Sequence, residues 1–138
     1  MKQKICTIFG ILGSAVAAAF GGWSADLAAL VCFMAVDYCS GLLVAGVFHR
    51  SKKSDSGALE SGAGFQGLCR KGMILLMVLI GARLDQLLAL HFIRSAVCIG
   101  FGANELLSIL ENAGLMGIPI PKALRRAVEL LEQKAEEE

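Results

Sequence analysis

Long apolar runs constrain the fold of this chain more than any other feature. Residues 5–22 form one such run without a charge, and residues 27–48 and 72–93 form two longer ones. A helix needs about 20 apolar residues to cross the hydrocarbon core of a bilayer. The hydrophobic fraction of 56% is also high for a soluble domain. We therefore expect an all-α integral membrane protein.

A fourth apolar segment covers residues 95–116. From residue 95 to residue 110 a helix reaches only about 24 Å, whereas the hydrocarbon core is about 30 Å thick. This segment therefore spans only if it continues to about Met116. The sequence predicts four transmembrane helices within a membrane domain of residues 1–118, or three if the last segment lies flat.

Basic residues predict the orientation in the membrane. Apart from Arg83 and Arg94, every Lys and Arg lies at the N-terminus, in the segment 49–71 or after Asn112. Four spans place all of these regions on one side, which the positive-inside rule identifies as the cytoplasm. Three spans would put the basic tail outside. We therefore expect both termini in the cytoplasm.

The segments outside the spans have two different characters. Residues 49–71 are rich in Ser and Gly and are predicted to form a mobile basic loop. Residues 119–138 are predicted to form a cytoplasmic amphipathic helix with an acidic tail, because apolar residues recur at helical spacing from Leu124 to Leu131. We expect this helix to lie on the membrane surface or to pair with another subunit.

The first apolar run has a second interpretation. Lys2, Lys4, the apolar core and the alanines of residues 15–19 also resemble a cleavable signal peptide. Further spans follow closely, and a first helix can act as a signal anchor. We therefore favour an uncleaved first span.

Ionisable residues lie inside two of the predicted spans. Each costs about 2.5–3.5 kcal/mol at the centre of a membrane helix and so needs a partner or water. Asp37 and Arg83 are each near the middle of a span, which predicts an Asp37–Arg83 ion pair. Asp85 is rotated by about 200° from Arg83. The third span would then meet polar surroundings on two sides, as an oligomer would provide.

The fourth segment carries a polar stripe at helical spacing, with apolar residues opposite. Its members are Asn104, Glu105, Ser108, Glu111 and Asn112. Lipid cannot solvate these side chains, so the stripe must face water, another helix or another subunit. We interpret it as the surface for assembly or for a water-filled lumen.

Small residues every four positions predict close helix packing. The first span has the fullest ridge, the second has Gly41 before Ala45, and the fourth has Gly100 between Ala96 and Asn104. The ridge in the first span consists of Gly10, Ser14, Ala18 and Gly22. Together with the polar stripe, these ridges favour self-association.

Nothing in the sequence indicates catalysis or a cofactor. No histidine lies near Asp or Ser in a hydrolase motif, and the five cysteines lack the spacing of metal ligands. The net charge of +1 does not indicate a nucleic-acid partner. We expect no enzyme activity, no metal and no cofactor.

Four segments resemble one known family in order and in spacing. Residues 37–43 read DYCSGLL, Leu84 precedes Asp85, residues 104–112 read NELLSILEN, and residues 117–121 read GIPIP. The segment 61–71 also fits. This set, across about residues 30–131, resembles the phage holin family that includes the clostridial toxin-secretion holins. Cys39 departs from it, because relatives usually carry Thr or a small residue there.

The resemblance implies a protein made late in phage infection that accumulates in the host cytoplasmic membrane and assembles into holes. Its expected partners are copies of itself, the bilayer and an antiholin. An endolysin or a toxin would be cargo rather than a stably bound partner. The residues alone leave two alternatives: a small ion- or proton-coupled transporter with Asp37 or Glu105 as the titrating carboxylate, and a membrane scaffold without a pore.

Overall fold

The computed structural model describes residues 1–137, which form five helices and no strand. The all-α prediction is confirmed. Residue 138, the last of the predicted acidic tail, lies outside the described residues. The helices are α1 (Lys2–Ala19), α2 (Ala25–Gly46), α3 (Ser61–Leu88), α4 (Ile93–Leu115) and α5 (Lys122–Glu137).

Three helices are long and apolar enough to cross a membrane. They are α2, α3 and α4, with mean hydropathies of 2.0, 1.5 and 1.3 in their most apolar windows. The segment that seemed shortest in the sequence is thus long enough, because α4 has 23 residues and reaches about 34 Å. Helix α1 is not among the three. It has only 18 residues, and Lys2 and Lys4 lie in its first turn.

Helix α3 begins at Ser61, although the sequence predicted a loop as far as residue 71. Two glycines of this stretch, Gly64 and Gly67, lie against a tyrosine on α2. A β-carbon at Gly64 would lie 3.6 Å from the Tyr38 hydroxyl, and one at Gly67 would lie 4.0 Å from the Tyr38 ring. Both are ordinary contact distances, so a stretch that looks flexible in the sequence is a helix packed against α2.

Helices α2, α3 and α4 form the central bundle. Ser95 at the start of α4 contacts Asp26 at the start of α2, whereas Asn112 contacts Ser40 further along, so these two helices run parallel. Helix α3 runs antiparallel to both. The apolar core consists of Leu27, Leu30, Met34, Val78 and Cys98.

Gly81 of α3 lies against the backbone of the first turn of α4. A β-carbon there would lie 3.2 Å from Arg94 Cα and 3.4 Å from Arg94 N. The neighbour is backbone, which has little freedom to move aside. Gly81 is therefore a packing requirement of the bundle.

We expect Gly81→Leu to lower the free energy of unfolding by about 1–3 kcal/mol, the usual cost of overpacking. Gly72→Leu is the matched control, because a β-carbon at Gly72, on the same helix, has no atom within 4 Å. Both variants can be unfolded with SDS in detergent micelles. Equal midpoints for the two would show that the helices separate at Gly81 without penalty.

Helix α1 is attached to the bundle at one end only. None of its residues is buried, and β-carbons at Gly10 and Gly22 would meet no atom within 4 Å. Near its carboxyl end, the Ala19 carbonyl accepts a hydrogen bond from Arg83 Nη2 at 2.8 Å. The predicted ridge of α1 thus has no partner helix among residues 1–137.

The other two predicted ridges contact neighbouring helices. A β-carbon at Gly41 would lie 3.9 Å from Asn112 Nδ2 on α4, and one at Gly100 would lie 3.8 Å from Ala135 Cβ on α5. Helix α5 therefore folds back along α4 of its own chain. The sequence had placed it on the membrane surface or against another subunit.

Candidate functional site

A cluster of charged side chains lies where α2, α3 and α4 meet. The Lys71 ammonium is 2.6 Å from Asp37 Oδ2 and 2.5 Å from Glu105 Oε2. The side chains of Lys71, Asp37 and Glu105 are only 12%, 5% and 8% exposed. Each helix contributes one charge, so the ion pairs fix the relative depth of all three helices.

Asn112 extends this cluster along α4. Its Nδ2 donates hydrogen bonds to Ser40 Oγ at 2.8 Å and to Asp37 Oδ1 at 3.2 Å. Both oxygens of Asp37 are therefore occupied, one by Lys71 and one by Asn112. Within residues 1–137, no buried side-chain nitrogen or oxygen lacks a hydrogen-bond partner. The cluster is thus internally satisfied, as buried polar networks must be.

The cluster contains two carboxylates and one ammonium. Buried charges are expensive unless they are paired, and removing one partner leaves an uncompensated charge in the interior. Lys71 is the only cation within salt-bridge distance of either carboxylate in the described chain. It therefore holds together two groups that would otherwise repel each other.

The predicted Asp37–Arg83 ion pair is wrong. Arg83 donates to Gln86 Oε1 at 2.8 Å and to the Ala19 carbonyl of α1. The physical reason is the early start of α3, which places Lys71 rather than Arg83 at the depth of Asp37. The sequence had assigned Lys71 to a loop, so it was missed as a partner.

Asp85 also has a different role from the one predicted. Its two carboxylate oxygens accept hydrogen bonds from the backbone N–H groups of Ile93 at 2.9 Å and Arg94 at 3.0 Å. These N–H groups belong to the first turn of α4, where a negative charge is favourable. The chain itself therefore supplies the polar surroundings of Asp85, and no oligomer is needed for them.

A second polar network ties the turn between α1 and α2 to the start of α4. Arg94 donates from Nη1 to the carbonyls of Phe20 at 2.7 Å and Gly22 at 2.8 Å, and from Nη2 to Ser24 Oγ at 2.7 Å. The sequence analysis missed this role, because Arg94 looked like a single loop cation. Its position directly before the fourth apolar segment was the available signal.

The predicted polar stripe of α4 divides between two faces. Glu105 and Asn112 are buried in the cluster, and Ser108 between them is half-buried. Asn104 and Glu111 are exposed on the other side. They are seven residues apart and so lie on one line along the helix. We call Glu105, Ser108 and Asn112 the inner polar face of α4, and Asn104 and Glu111 its outer polar face.

A cavity of about 190 Å³ lies beside the cluster, between α2 and the first half of α3. Its lining includes the three ions of the cluster, Asp37, Lys71 and Glu105, together with Lys53 and Glu60. Within the described residues, no group of His, Cys, Asp and Glu side chains has the arrangement of a metal site. The cavity connects the buried ions with the loop between α2 and α3.

Comparison with known proteins identifies one family for most of the chain. The model of the bacteriophage holin family matches residues 14–133. An uncharacterised protein of Listeria monocytogenes is 38% identical over 99% of this chain and 94% of its own length. One from Halalkalibacterium halodurans is 36% identical over 88% of each chain. A 14.9 kDa protein in the nagH 3' region of Clostridium perfringens is 34% identical over 89% of each. No solved structure matches.

Proposed function

Because this chain belongs to the bacteriophage holin family, we propose that it oligomerises in the bacterial cytoplasmic membrane and forms holes. Through these holes an endolysin or a toxin would leave the cell, and release of an endolysin would lyse the host. The chain is a holin-type membrane protein with three candidate spans.

The outer polar face of α4 is the observation that carries the proposal. Asn104 and Glu111 are exposed on a helix that is long and apolar enough to span. Asn104 lies near the middle of α4, where acyl chains cannot hydrogen-bond its amide, and Glu111 brings a charge to the same face one turn from the helix end. Such a face needs water or a second copy. A ring of subunits around a lumen supplies both.

The inner polar face supports the same proposal by contrast. Glu105 and Asn112 already have partners within the chain, in Lys71, Asp37 and Ser40. A single protomer is therefore satisfied inside and unsatisfied outside. This combination favours association through the outer face of α4 while the bundle itself stays intact.

The proposed orientation places both termini in the cytoplasm, which requires α1 to act as a fourth span. Helix α1 has 18 residues and reaches about 27 Å, close to the thickness of the hydrocarbon core. Its apolar side chains, including Ile8, Phe9 and Leu12, are exposed and available to lipid. The basic residues of the tail then lie on the same side as Lys2 and Lys4.

We expect the double variant Asn104→Leu/Glu111→Leu to delay or abolish lysis when it is expressed in a bacterium. Each lost polar contact between membrane helices is worth about 1–2 kcal/mol, so assembly weakens at every subunit contact. Lysis time and the amount of protein in the membrane fraction are measured together. Gln66→Leu is the control, because Gln66 is an exposed amide on α3, away from α4. Lysis on the normal schedule would remove the outer face from the mechanism.

One observation favours a second candidate function, a small ion- or proton-coupled transporter. Two buried carboxylates beside a cavity could bind and release a cation. Growth and membrane potential after induction separate the two functions. A holin gives abrupt loss of potential and viability after a delay, whereas a transporter gives steady, saturable flux without killing. A scaffold gives oligomers without any change in permeability.

A further inference from the structure

Helix α5 lies along α4 as the second arm of a hairpin. The chain turns between Met116 and Pro121, where Gly117 has a φ of +82°. Val128 of α5 is buried, and Leu131 and Ala135 are half-buried. Near the far end of the hairpin, a β-carbon at Gly100 would lie 3.8 Å from Ala135 Cβ. The apolar stripe of α5 thus covers one side of α4 as far as Gly100.

The other side of α5 carries many exposed charges. Its exposed charged residues include Arg125, Arg126, Glu129, Glu132, Lys134 and Glu136. Because Ala135 is level with Gly100, the last turns of α5 reach past the depth of Glu105 and of the buried ion cluster. If α4 crosses the bilayer, these charges lie at the depth of the acyl chains. Charged side chains facing lipid at that depth are rarely tolerated.

While α5 is docked, lipid or another protein therefore cannot contact the same side of α4. We propose that α5 is a removable cover on α4, and that it must leave before a second copy of this chain can pack there. The inference rests on the proposed assembly into holes. Ala96 lies four residues before Gly100 on the covered side, a spacing that allows close approach of another helix.

Release of the cover needs little rearrangement elsewhere. Val128 is the only buried residue of α5, whereas the bundle of α2, α3 and α4 has its own apolar core and ion cluster. Two prolines, Pro119 and Pro121, lie in the connection to α4. Helix α5 can therefore leave while the bundle keeps its structure.

A disulfide between α5 and α4 tests this proposal. Gly100→Cys and Ala135→Cys place two thiols on β-carbons about 3.8 Å apart, the mean separation in protein disulfides. The five native cysteines are replaced first, Cys98 by Ala because it is buried and the others by Ser. The full chain is then reconstituted into vesicles of phosphatidylglycerol and phosphatidylethanolamine that contain a fluorescent dye. Copper phenanthroline closes the disulfide and dithiothreitol opens it.

We expect the oxidised protein to release about tenfold less dye than the reduced protein, because the locked cover removes the competent population. Glutaraldehyde cross-linking should give oligomers only after reduction. The single variants Gly100→Cys and Ala135→Cys should be insensitive to oxidation. Equal release and equal cross-linking in both redox states would overturn the proposal. Failure of the disulfide to form would also overturn it, because α5 would not be docked.

The same experiment separates this proposal from the proposed function. If the reduced protein forms oligomers that the oxidised protein does not form, but neither releases dye, the cover is supported and hole formation is not. A second pair of variants needs no disulfide. Val128→Glu places a charge in the docked stripe, whereas Leu130→Glu places the same charge at a position 53% exposed. Faster release by Val128→Glu alone supports the cover, and equal or slower release contradicts it.

Discussion

Replacing Lys71 by methionine is expected to destabilise the bundle by about 3–5 kcal/mol, the usual cost of breaking a buried ion pair by removing one partner. Asp37 and Glu105 would then be two buried carboxylates without a cation, since Lys71 is the only basic group bound to either. We expect little folded protein in the membrane fraction and no lysis. The midpoint of SDS-induced unfolding in micelles measures the loss directly.

Two further variants make this test specific. Lys52→Met removes an exposed lysine from the loop between α2 and α3 and should leave the midpoint unchanged. The triple variant Asp37→Asn/Lys71→Met/Glu105→Gln removes all three charges and should recover most of the lost stability, because neutral amides need no counter-ion. An unfolding midpoint of Lys71→Met equal to that of the unmodified chain would show that the cluster is not held by this ammonium.

Replacing Arg94 by methionine is expected to free the turn between α1 and α2, with a loss of stability on the order of 3 kcal/mol. A charge-assisted hydrogen bond is worth about 1.5–3 kcal/mol, and the three that Arg94 donates share one guanidinium, so their contributions do not add in full. The expected signature is local. Proteolysis within residues 20–24 should accelerate more than global unfolding does.

Arg70→Met is the control for this variant. Arg70 is an exposed arginine of α3 that makes no ion pair within the described chain. Its replacement should change neither proteolysis of the turn nor the unfolding midpoint. If Arg94→Met leaves the turn as resistant as before, the three hydrogen bonds do not hold it.

The hydropathy pattern predicts the helices well, because the apolar runs that define α2, α3 and α4 must be buried in lipid or protein whatever their partners are. It does not predict where α3 begins. Gly64 and Gly67 look like loop residues in isolation, and only the ring of Tyr38 on another helix gives them a packing role. Helix ends that depend on tertiary contacts leave little trace in a local pattern.

The error at the start of α3 caused the error in the ion pair. A span beginning at residue 72 puts Arg83 near its middle, opposite Asp37. A helix beginning at Ser61 puts Lys71 there instead. The sequence correctly required a cation for Asp37. Its identity depended on a helix boundary, because an earlier start moves the midpoint of the helix to an earlier residue.

The polar stripe of α4 shows a related limit. The spacing of Asn104, Glu105 and Asn112 establishes that polar groups lie on one side of a helix, but not how many neighbours share that side. Lys71 and Asp37 satisfy the inner residues, and the outer ones stay exposed. A single stripe can therefore serve both the interior of a protomer and its outer surface.

Helix α1, which has no buried residue and is joined to the bundle only at its carboxyl end, should evolve under looser selection than the rest of the chain. Any sufficiently lipophilic sequence of similar length would suit its surroundings, since no partner side chain dictates shape. Relatives should therefore exchange amino acids there freely while keeping those that meet Lys71 and Arg94. Substitutions in the N-terminal helix should therefore disturb the folded bundle least.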